Sequence, residues 1–380
     1  MKHRRTVADE RYMREALALA AHGCGFTSPN PAVGAVIVKG GRVIGRGFHK
    51  QAGQPHAEVE ALRDAVRQKQ SVKGATLYVT LEPCCTHGRT PPCTDAILAA
   101  GIRRVVVGAT DPNPNHAGRG RRMLKRGGGE VQAGVLKHEA TRLNESFNHW
   151  IIHRTPFVTI KAAVTMDGRI ATATGDSKWI TGAAARRHAM TELRRNADAL
   201  LVGINTILAD DPSLTYRGRG AGRKTWRRIV LDSQARTPLT AKIVTDDAAS
   251  QTLVVVGPGA PGERVAALRK RVTVVEAPLD RGRIDLVWLL GQLGGEGITN
   301  LLVEGGGEVN AAFLEGGLAH RIAFYYAPKI LGGRDSRPAV AGQGAAFLTA
   351  AHELADMEFL ALGHDWLITG LIRRKRRSGL

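Results

Sequence analysis

The sequence predicts two α/β domains in tandem, and three observations carry that reading. The chain has 380 residues, more than one typical hydrophobic core organises. Apolar segments with strand spacing alternate along it with amphipathic helical segments, the pattern of layered α/β domains. The alternation breaks once, near residues 153–156, where Pro156 stops a helix and a fresh strand begins. The domains therefore read as 1–153 and 154–380, with 373–380 a basic tail.

Each element has a local reason. Residues 9–21 form an amphipathic helix with Met13, Leu17 and Ala20 on one face, ended by Gly23. Strands 33–38 and 43–48 flank Lys39-Gly40-Gly41-Arg42, a glycine turn suited to a hairpin. His56 opens a helix to about residue 68. Then come strand 76–81, a helix at 93–100 closed by Gly101, strand 104–108, strand 131–135 and a helix at 137–149. In the second part, 157–162 is a strand, 183–196 a helix, and 199–203, 228–231, 252–256 and 272–275 are strands. A helix at 284–292 leads to strand 300–303, the run Gly305-Gly306-Gly307 and a further helix. Strands 322–327 and 365–372 end the domain, and 218–224 is a polar, basic loop.

Composition narrows the class. Hydrophobic content of 43% and charged content of 23% describe an ordinary globular protein. No run of eighteen apolar residues marks a membrane span, and the basic N-terminus lacks the apolar core of a secretory signal, so a cytoplasmic location is expected. Of the four cysteines, Cys84, Cys85 and Cys93 crowd together, which suits metal ligation better than a disulfide framework. The formal charge of +20 fits nucleic acid or a small anionic substrate. Aromatics at 5% leave few stacking platforms, and the arginines are scattered apart from 373–377. A small anion is the reading we adopt, with neither nucleic acid nor membrane as partner.

The chemistry concentrates in His56-Ala57-Glu58 and in Pro83-Cys84 followed by Pro92-Cys93. One imidazole and two thiolates are the ligands of a catalytic zinc site with an open fourth position, and Glu58 is a carboxylate left over to move protons. His56 and Cys93 each open a predicted helix, whose N-terminal dipole favours thiolate. A closed structural site would need Cys85 or His87 as fourth ligand. An imidazole and two cysteines with a non-ligand Glu is the arrangement zinc deaminases use.

At this point a resemblance becomes specific. Pro29-Asn30-Pro31-Ala32-Val33-Gly34, His49 and Gly53-Gln54-Pro55-His56-Ala57-Glu58 resemble the zinc-dependent cytidine deaminase superfamily. The stretch from Leu81 through Pro83-Cys84-Cys85-Thr86-His87-Gly88-Arg89-Thr90-Pro91-Pro92-Cys93 opens the usual PCxxC to eight intervening residues. With Asp111-Pro112-Asn113-Pro114, that expansion resembles the bifunctional deaminase–reductase family of riboflavin biosynthesis. One departure is plain: family members often carry His at the position of Thr86, and here His87 stands one place later. The resemblance implies zinc on His56, Cys84 and Cys93, proton transfer by Glu58, and substrate contacts from Asn30, His49, Asp111 and Asn113.

A second series agrees in order: Lys161, Thr165-Met166-Asp167-Gly168-Arg169, Ser177-Lys178-Trp179-Ile180-Thr181, Leu208 through Thr215, and Val303-Glu304-Gly305-Gly306-Gly307-Glu308-Val309-Asn310. The glycine run between a strand and a helix lets backbone N–H groups approach a phosphate, although its spacing is not the Rossmann fingerprint. The series resembles the family's C-terminal reductase. The implied architecture is an N-terminal cytidine-deaminase-like three-layer domain and a C-terminal dihydrofolate-reductase-like domain that uses NADPH. Ala163, Trp179, Thr206, Asp210, Ser233 and the loop Gly306, Gly307, Glu308, Val309, Asn310, Ala311 and Ala312 would line the cofactor groove. Ser177, Arg194 (or its neighbour Arg195), Leu214, Arg217 and Glu304 would contact substrate, and Lys161 would donate a proton or stabilise charge. The implied activity is deamination of a diaminohydroxyphosphoribosylaminopyrimidine, then reduction of its ribosyl to a ribityl chain. Phosphorylated pyrimidines are the expected ligands and a homo-oligomer the expected assembly. The competing reading, a tRNA base deaminase suggested by the charge, requires neither the GRTPPC insertion nor the second series.

Overall fold

Helix α1 (Val7–Gly23) starts at a reciprocal cap. The Thr6 hydroxyl accepts the Asp9 N–H at 3.1 Å, and the Asp9 carboxylate accepts the Thr6 N–H at 3.3 Å. The computed structural model that shows this describes residues 6–87, 91–114, 116–216, 218 and 226–373. It divides into two compact units, Met1–Arg154 and Thr155–Leu380.

In the first unit β1 (Gly34–Lys39) and β2 (Arg42–Phe48) form the expected hairpin, with Gly40 and Gly41 both at positive φ. After them come α2 (Ala57–Arg67), β3 (Thr76–Leu81), α3 (Cys93–Ala99), β4 (Arg104–Ala109), α4 (Arg119–Arg126) and β5 (Glu130–Ala133). The sheet order is β2-β1-β3-β4-β5, antiparallel at β2-β1 and β1-β3 and parallel beyond. Strand alternation divides the core into two faces. Val36, Val38, Tyr78 and Val106 pack with Met13 and Ala16 of α1. Ala35, Ile37, Leu77, Val79, Val105 and Val107 pack with Ala57 and Ala61 of α2 and Ile97 of α3. The result is three layers.

Two departures from the sequence reading have local causes. The helix expected at 137–149 is two, α5 (Lys137–Leu143) and α6 (Glu145–His153). Asn144 between them holds both backbone groups of Ala32, at 2.8 and 2.9 Å. Helix α4 was not foreseen because its start is fixed from a distant segment: the buried Glu82 carboxylate accepts the N–H groups of Gly118 and Arg121 at 3.0 and 3.1 Å.

Asp9 also ties α1 to the sheet. It accepts from Tyr78 Oη at 3.0 Å and from both terminal nitrogens of Arg104 at 2.9 and 3.0 Å. Burial pushes its carboxyl up, but the Arg104 and Tyr78 hydrogen bonds and the Arg104 charge outweigh this and hold it below the usual value. A depressed carboxyl stabilises the fold above about pH 4 and loses that contribution as pH falls through its folded value. Asp9→Asn should therefore destabilise this unit by about 3 kcal/mol at pH 7. In denaturant melts the gap between wild type and variant should close in acid, and a gap independent of pH would refute the assignment.

The second unit contains β6 (Phe157–Thr165), β7 (Arg169–Ala171), α7 (Ala183–His188), β8 (Ala199–Gly203), α8 (Ile204–Asp210), β9 (Arg227–Leu231), α9 (Lys242–Thr245) and β10 (Thr252–Val256). It continues with α10 (Gly262–Arg269), β11 (Thr273–Glu276), β12 (Leu279–Asp280), β13 (Arg283–Ile284), α11 (Leu286–Gly295), β14 (Asn300–Val303) and α12 (Gly307–Glu315). β15 (Arg321–Ala327), β16 (Arg337–Pro338), β17 (Leu354–Leu362) and β18 (Asp365–Ile372) complete it. Nine strands form one sheet in the order β11-β10-β9-β8-β14-β6-β15-β18-β17, parallel from β11 to β15 and antiparallel at the last two pairings.

The helix expected at 183–196 is α-helical only to His188 and continues as a π-helical stretch, Ala189–Arg194. The helix expected from 284 begins two residues later, because Asp285 is its cap and accepts from Val287 and Trp288 N–H at 2.9 and 3.0 Å. Helices α8 and α10 and strand β17 were not foreseen. Strand β17 is an edge strand exposed over most of its length, so it has no buried alternation to read. Most of the basic loop, 219–224, lies outside the described residues, as does the tail from 374 onward.

Candidate active sites

In the first unit three elements converge. His56 is the residue immediately before α2, Cys93 the first of α3, and Cys84 lies in the loop after β3. Their donor atoms all lie within 4.8 Å of one another. His56 Nδ1 is 3.3 Å from Cys93 Sγ and 3.5 Å from Cys84 Sγ. Among the described residues neither Cys85 nor His87 joins them, so nothing closes the set as a structural site would require. Hydrogen bonds from the Cys93 side chain and backbone and from His56 hold the Cys84 thiol down to about 4. Sharing that hydrogen with Cys84, together with burial, pushes Cys93 up. One imidazole and two sulfurs facing a common point fit a zinc ion with a free coordination position.

Glu58 lies in the first turn of α2, only 3% exposed. Burial, helped by the Cys84 charge, pushes its carboxyl up to about 7. That is the range in which a group can both accept and return a proton at neutral pH. His49 is buried edge-on to His56 with ring centroids 5.2 Å apart, and Asn30 Nδ2 is 3.2 Å from His49 Nε2. The other ring nitrogen is 3.1 Å from the Pro55 carbonyl oxygen. Burial lowers the His49 pKa, so the ring is neutral at physiological pH. Asp111 accepts the Asn113 N–H at 2.8 Å, which shapes the loop after β4, and burial raises its carboxyl. Sequence reasoning missed Glu82, whose two backbone bonds and 3.5 Å ion pair with Arg121 anchor the chain beyond that loop.

In the second unit a groove of about 860 Å³ opens at the carboxyl ends of β14, β8 and β9, beside β6. Lys161, Ala163, Ser177, Thr206, Asp210, Ser233, Glu304, Gly306, Gly307, Glu308, Val309 and Ala312, all singled out from the sequence, line it. The α12 N-terminus opens onto it without a side-chain cap, and a Cβ on Gly306 would have no atom within 4 Å. An elongated cavity with an uncapped helix N-terminus fits a dinucleotide and its diphosphate. Beneath it, Glu304 forms a two-point pair with Arg194 at 3.1 and 2.5 Å. Burial raises the Glu304 carboxyl, but Arg194 and then Lys161 outweigh it and hold it low. Burial also lowers the Lys161 ammonium pKa, with Glu304 opposing and Arg194 adding to the drop.

Five expected residues among those described do not line the groove. Trp179 is 66% exposed with the Arg186 guanidinium 4.5 Å above its ring. Asn310 and Ala311 lie on the inward face of α12, fully buried, and Asn310 Nδ2 donates to the Ala339 carbonyl at 2.8 Å. Helical periodicity is the reason: Glu308, Val309 and Ala312 face the groove while 310, 311, 313 and 314 face the core. Leu214 is a core residue packed with Ile204, Ile207 and Val230. Arg194 stands behind Glu304 and positions it. Arg217 lies outside the described residues. Conversely, Arg283 and Arg337 line the groove and carried no sequence signal, since both sit on two-residue strands.

Comparison with known proteins finds relatives of both units. The cytidine and deoxycytidylate deaminase zinc-binding region matches residues 6–109, and the RibD C-terminal domain matches residues 156–368. The riboflavin biosynthesis protein RibD of Actinobacillus pleuropneumoniae is 42% identical over 365 residues, 96% of this chain and 95% of that protein. The chain belongs to the RibD family. RibD from Escherichia coli is 40% identical over 94% of this chain and 97% of its own length. Among solved structures, RibD of Acinetobacter baumannii superposes with a TM-score of 0.83 at 37% identity, covering 97% of this chain and 99% of that one. A Thermotoga maritima structure, described as a diaminohydroxyphosphoribosylaminopyrimidine deaminase/5-amino-6-(5-phosphoribosylamino)uracil reductase, gives 0.81 at 34% identity over 96% and 99%. As a RibD-family member, the chain is a bifunctional deaminase and reductase of riboflavin biosynthesis. Its first unit is the cytidine-deaminase-like zinc-binding domain and its second the dihydrofolate-reductase-like reductase.

Proposed function

We propose that the His56–Cys84–Cys93 centre deaminates a diaminohydroxyphosphoribosylaminopyrimidine, and that the groove of the second unit then reduces the ribosyl group of the product to ribityl. The supporting observation is the buried Glu58 carboxyl, raised to about 7, on the helix that His56 opens into the three-donor cluster. Zinc held there supplies the Lewis acidity that makes water a nucleophile near neutral pH. Glu58 takes a proton from a water whose oxygen bonds to the pyrimidine carbon bearing the amine, and returns it to the amine nitrogen as that C–N bond breaks, so that ammonia leaves. Asn30, oriented by the neutral His49 ring, holds the pyrimidine by hydrogen bonds, and Asp111 and Asn113 bound its other side.

In the groove, NADPH supplies the hydride. Lys161 provides the proton for the sugar oxygen released as the ring opens, and the Arg194–Glu304 pair fixes its position and charge. Ser177, which lines the groove, contacts the substrate. The test is direct: the purified chain given the pyrimidine phosphate should release ammonia without NADPH, and oxidise NADPH only once deamination has occurred. NADPH oxidation ahead of ammonia release would overturn the order.

No helix among the described residues is long and apolar enough to cross a membrane. We infer a cytoplasmic homo-oligomer that does not use nucleic acid. The backbone of Arg373 still belongs to the sheet edge, where its N–H donates to the Glu353 carbonyl at 2.9 Å. A chain ending at Arg373 should therefore keep both activities and its zinc. Binding of tRNA that is tight, salt-sensitive and lost on that truncation would instead favour a nucleic-acid role for the tail.

A further inference from the structure

The groove holds a charge pair that neither step above uses. Arg283, on the short β12–β13 hairpin, and Glu308, in the first turn of α12, both line it and meet at 3.1 Å. Their side chains are 62% and 63% exposed, so solvent screens the pair and a competing anion displaces it readily. The hairpin packs at the end of β10, where a Cβ on Gly257 would stand 3.1 Å from Leu279 and 3.3 Å from the Ser233 carbonyl oxygen. Arg283 therefore belongs to the Ser233 end of the groove, and Lys161 and Glu304 to the β6–β14 end. From β6 across β14 and β8 to β9 is three strand spacings, about 14 Å. A dinucleotide with its redox ring at Lys161 and its diphosphate over the open α12 N-terminus brings its second nucleoside to Ser233 and Arg283.

We propose that Arg283 reads the phosphate on the adenosine ribose that distinguishes NADPH from NADH, exchanging Glu308 for that dianion. The inference rests on the groove being the cofactor site. A guanidinium suits the task because its fork donates to two phosphate oxygens at once. A cofactor lacking the phosphate leaves the Arg283–Glu308 pair intact and gains nothing from it. Glu308 is thus the internal competitor, and Arg283 the group both anions seek.

The test titrates the full chain with NADP⁺ and with NAD⁺, which differ only in that phosphate, and reads affinity by calorimetry rather than turnover. Wild type should prefer NADP⁺, and Arg283→Gln should reduce that preference about tenfold or more. Glu308→Gln should tighten NADP⁺ several-fold and widen the preference, so the inference stays testable even if the arginine variant folds poorly. Equal weakening of both ligands by Arg283→Gln, or a preference unchanged in both variants, would overturn it. A folded wild-type chain that releases ammonia but binds neither dinucleotide would instead refute the cofactor groove itself.

Discussion

Replacing Glu58 with Gln should cut ammonia release by about 10²–10⁴-fold, the range proton transfer by a positioned side chain supplies. The amide keeps the volume of a side chain that is 3% exposed, so α2 should still form and His56 should stay in place. Zinc content should remain near one per chain. Cys84→Ser or Cys93→Ser should lose both the metal and the activity, because each removes one of the three donors that cluster among the described residues. Reduction of the already deaminated substrate should survive Glu58→Gln nearly unchanged, since the groove residues all belong to the other unit. A variant that folds and keeps zinc yet loses both reactions would refute independent chemistry. One that still releases ammonia at the wild-type rate would remove Glu58 from the mechanism.

The contrast between Glu58 and Glu82 shows what the sequence could and could not disclose. Glu58 was legible because its partner His56 is two residues away and the cysteines follow at recognisable spacing. Glu82 is as buried, but its work is done on Gly118 and Arg121, some forty residues later, and no local pattern announces such a cap. The same distance effect hid the break at Asn144, which answers to Ala32. Alternation and glycine turns located the β1–β2 hairpin and the central strands because those signals are local. Strand β17 escaped because an exposed edge buries neither face.

The glycine loop was legible as a unit but not residue by residue. The run at 305–307 and the following helix are where the sequence placed a phosphate-binding turn, yet its members do different things. A Cβ on Gly305 would stand 2.6 Å from Val309 Cβ, and one on Gly307 would press the Pro338 carbonyl oxygen, so those two are required for packing. Beyond the loop, the one-sided helix turns Asn310 and Ala311 away from the ligand. Trp179 illustrates the opposite limit, since a large aromatic in a matching stretch stands out into solvent under Arg186.

Gly306 gives the sharpest test of the reductase site. Its φ of −76° and ψ of 176° are open to any L-residue, and nothing lies within 4 Å of the Cβ position. Gly306→Phe should therefore fold, losing at most about 1 kcal/mol at the helix cap. Its ring, however, would occupy the groove directly over the α12 N-terminus. NADPH oxidation should fall by about 100-fold or more, as expected when a reacting pair is displaced by an ångström or more. Ammonia release and zinc content should stay at wild-type levels, the mirror image of Glu58→Gln. Affinity for NADP⁺ should fall with turnover, whereas a loss of turnover at unchanged affinity would mean that the ring hinders the sugar substrate and that the dinucleotide binds elsewhere. Gly305→Ala separates packing from occlusion: it adds one methyl group against Val309, so it should lower the melting temperature of the second unit, an effect Gly306→Phe should scarcely show.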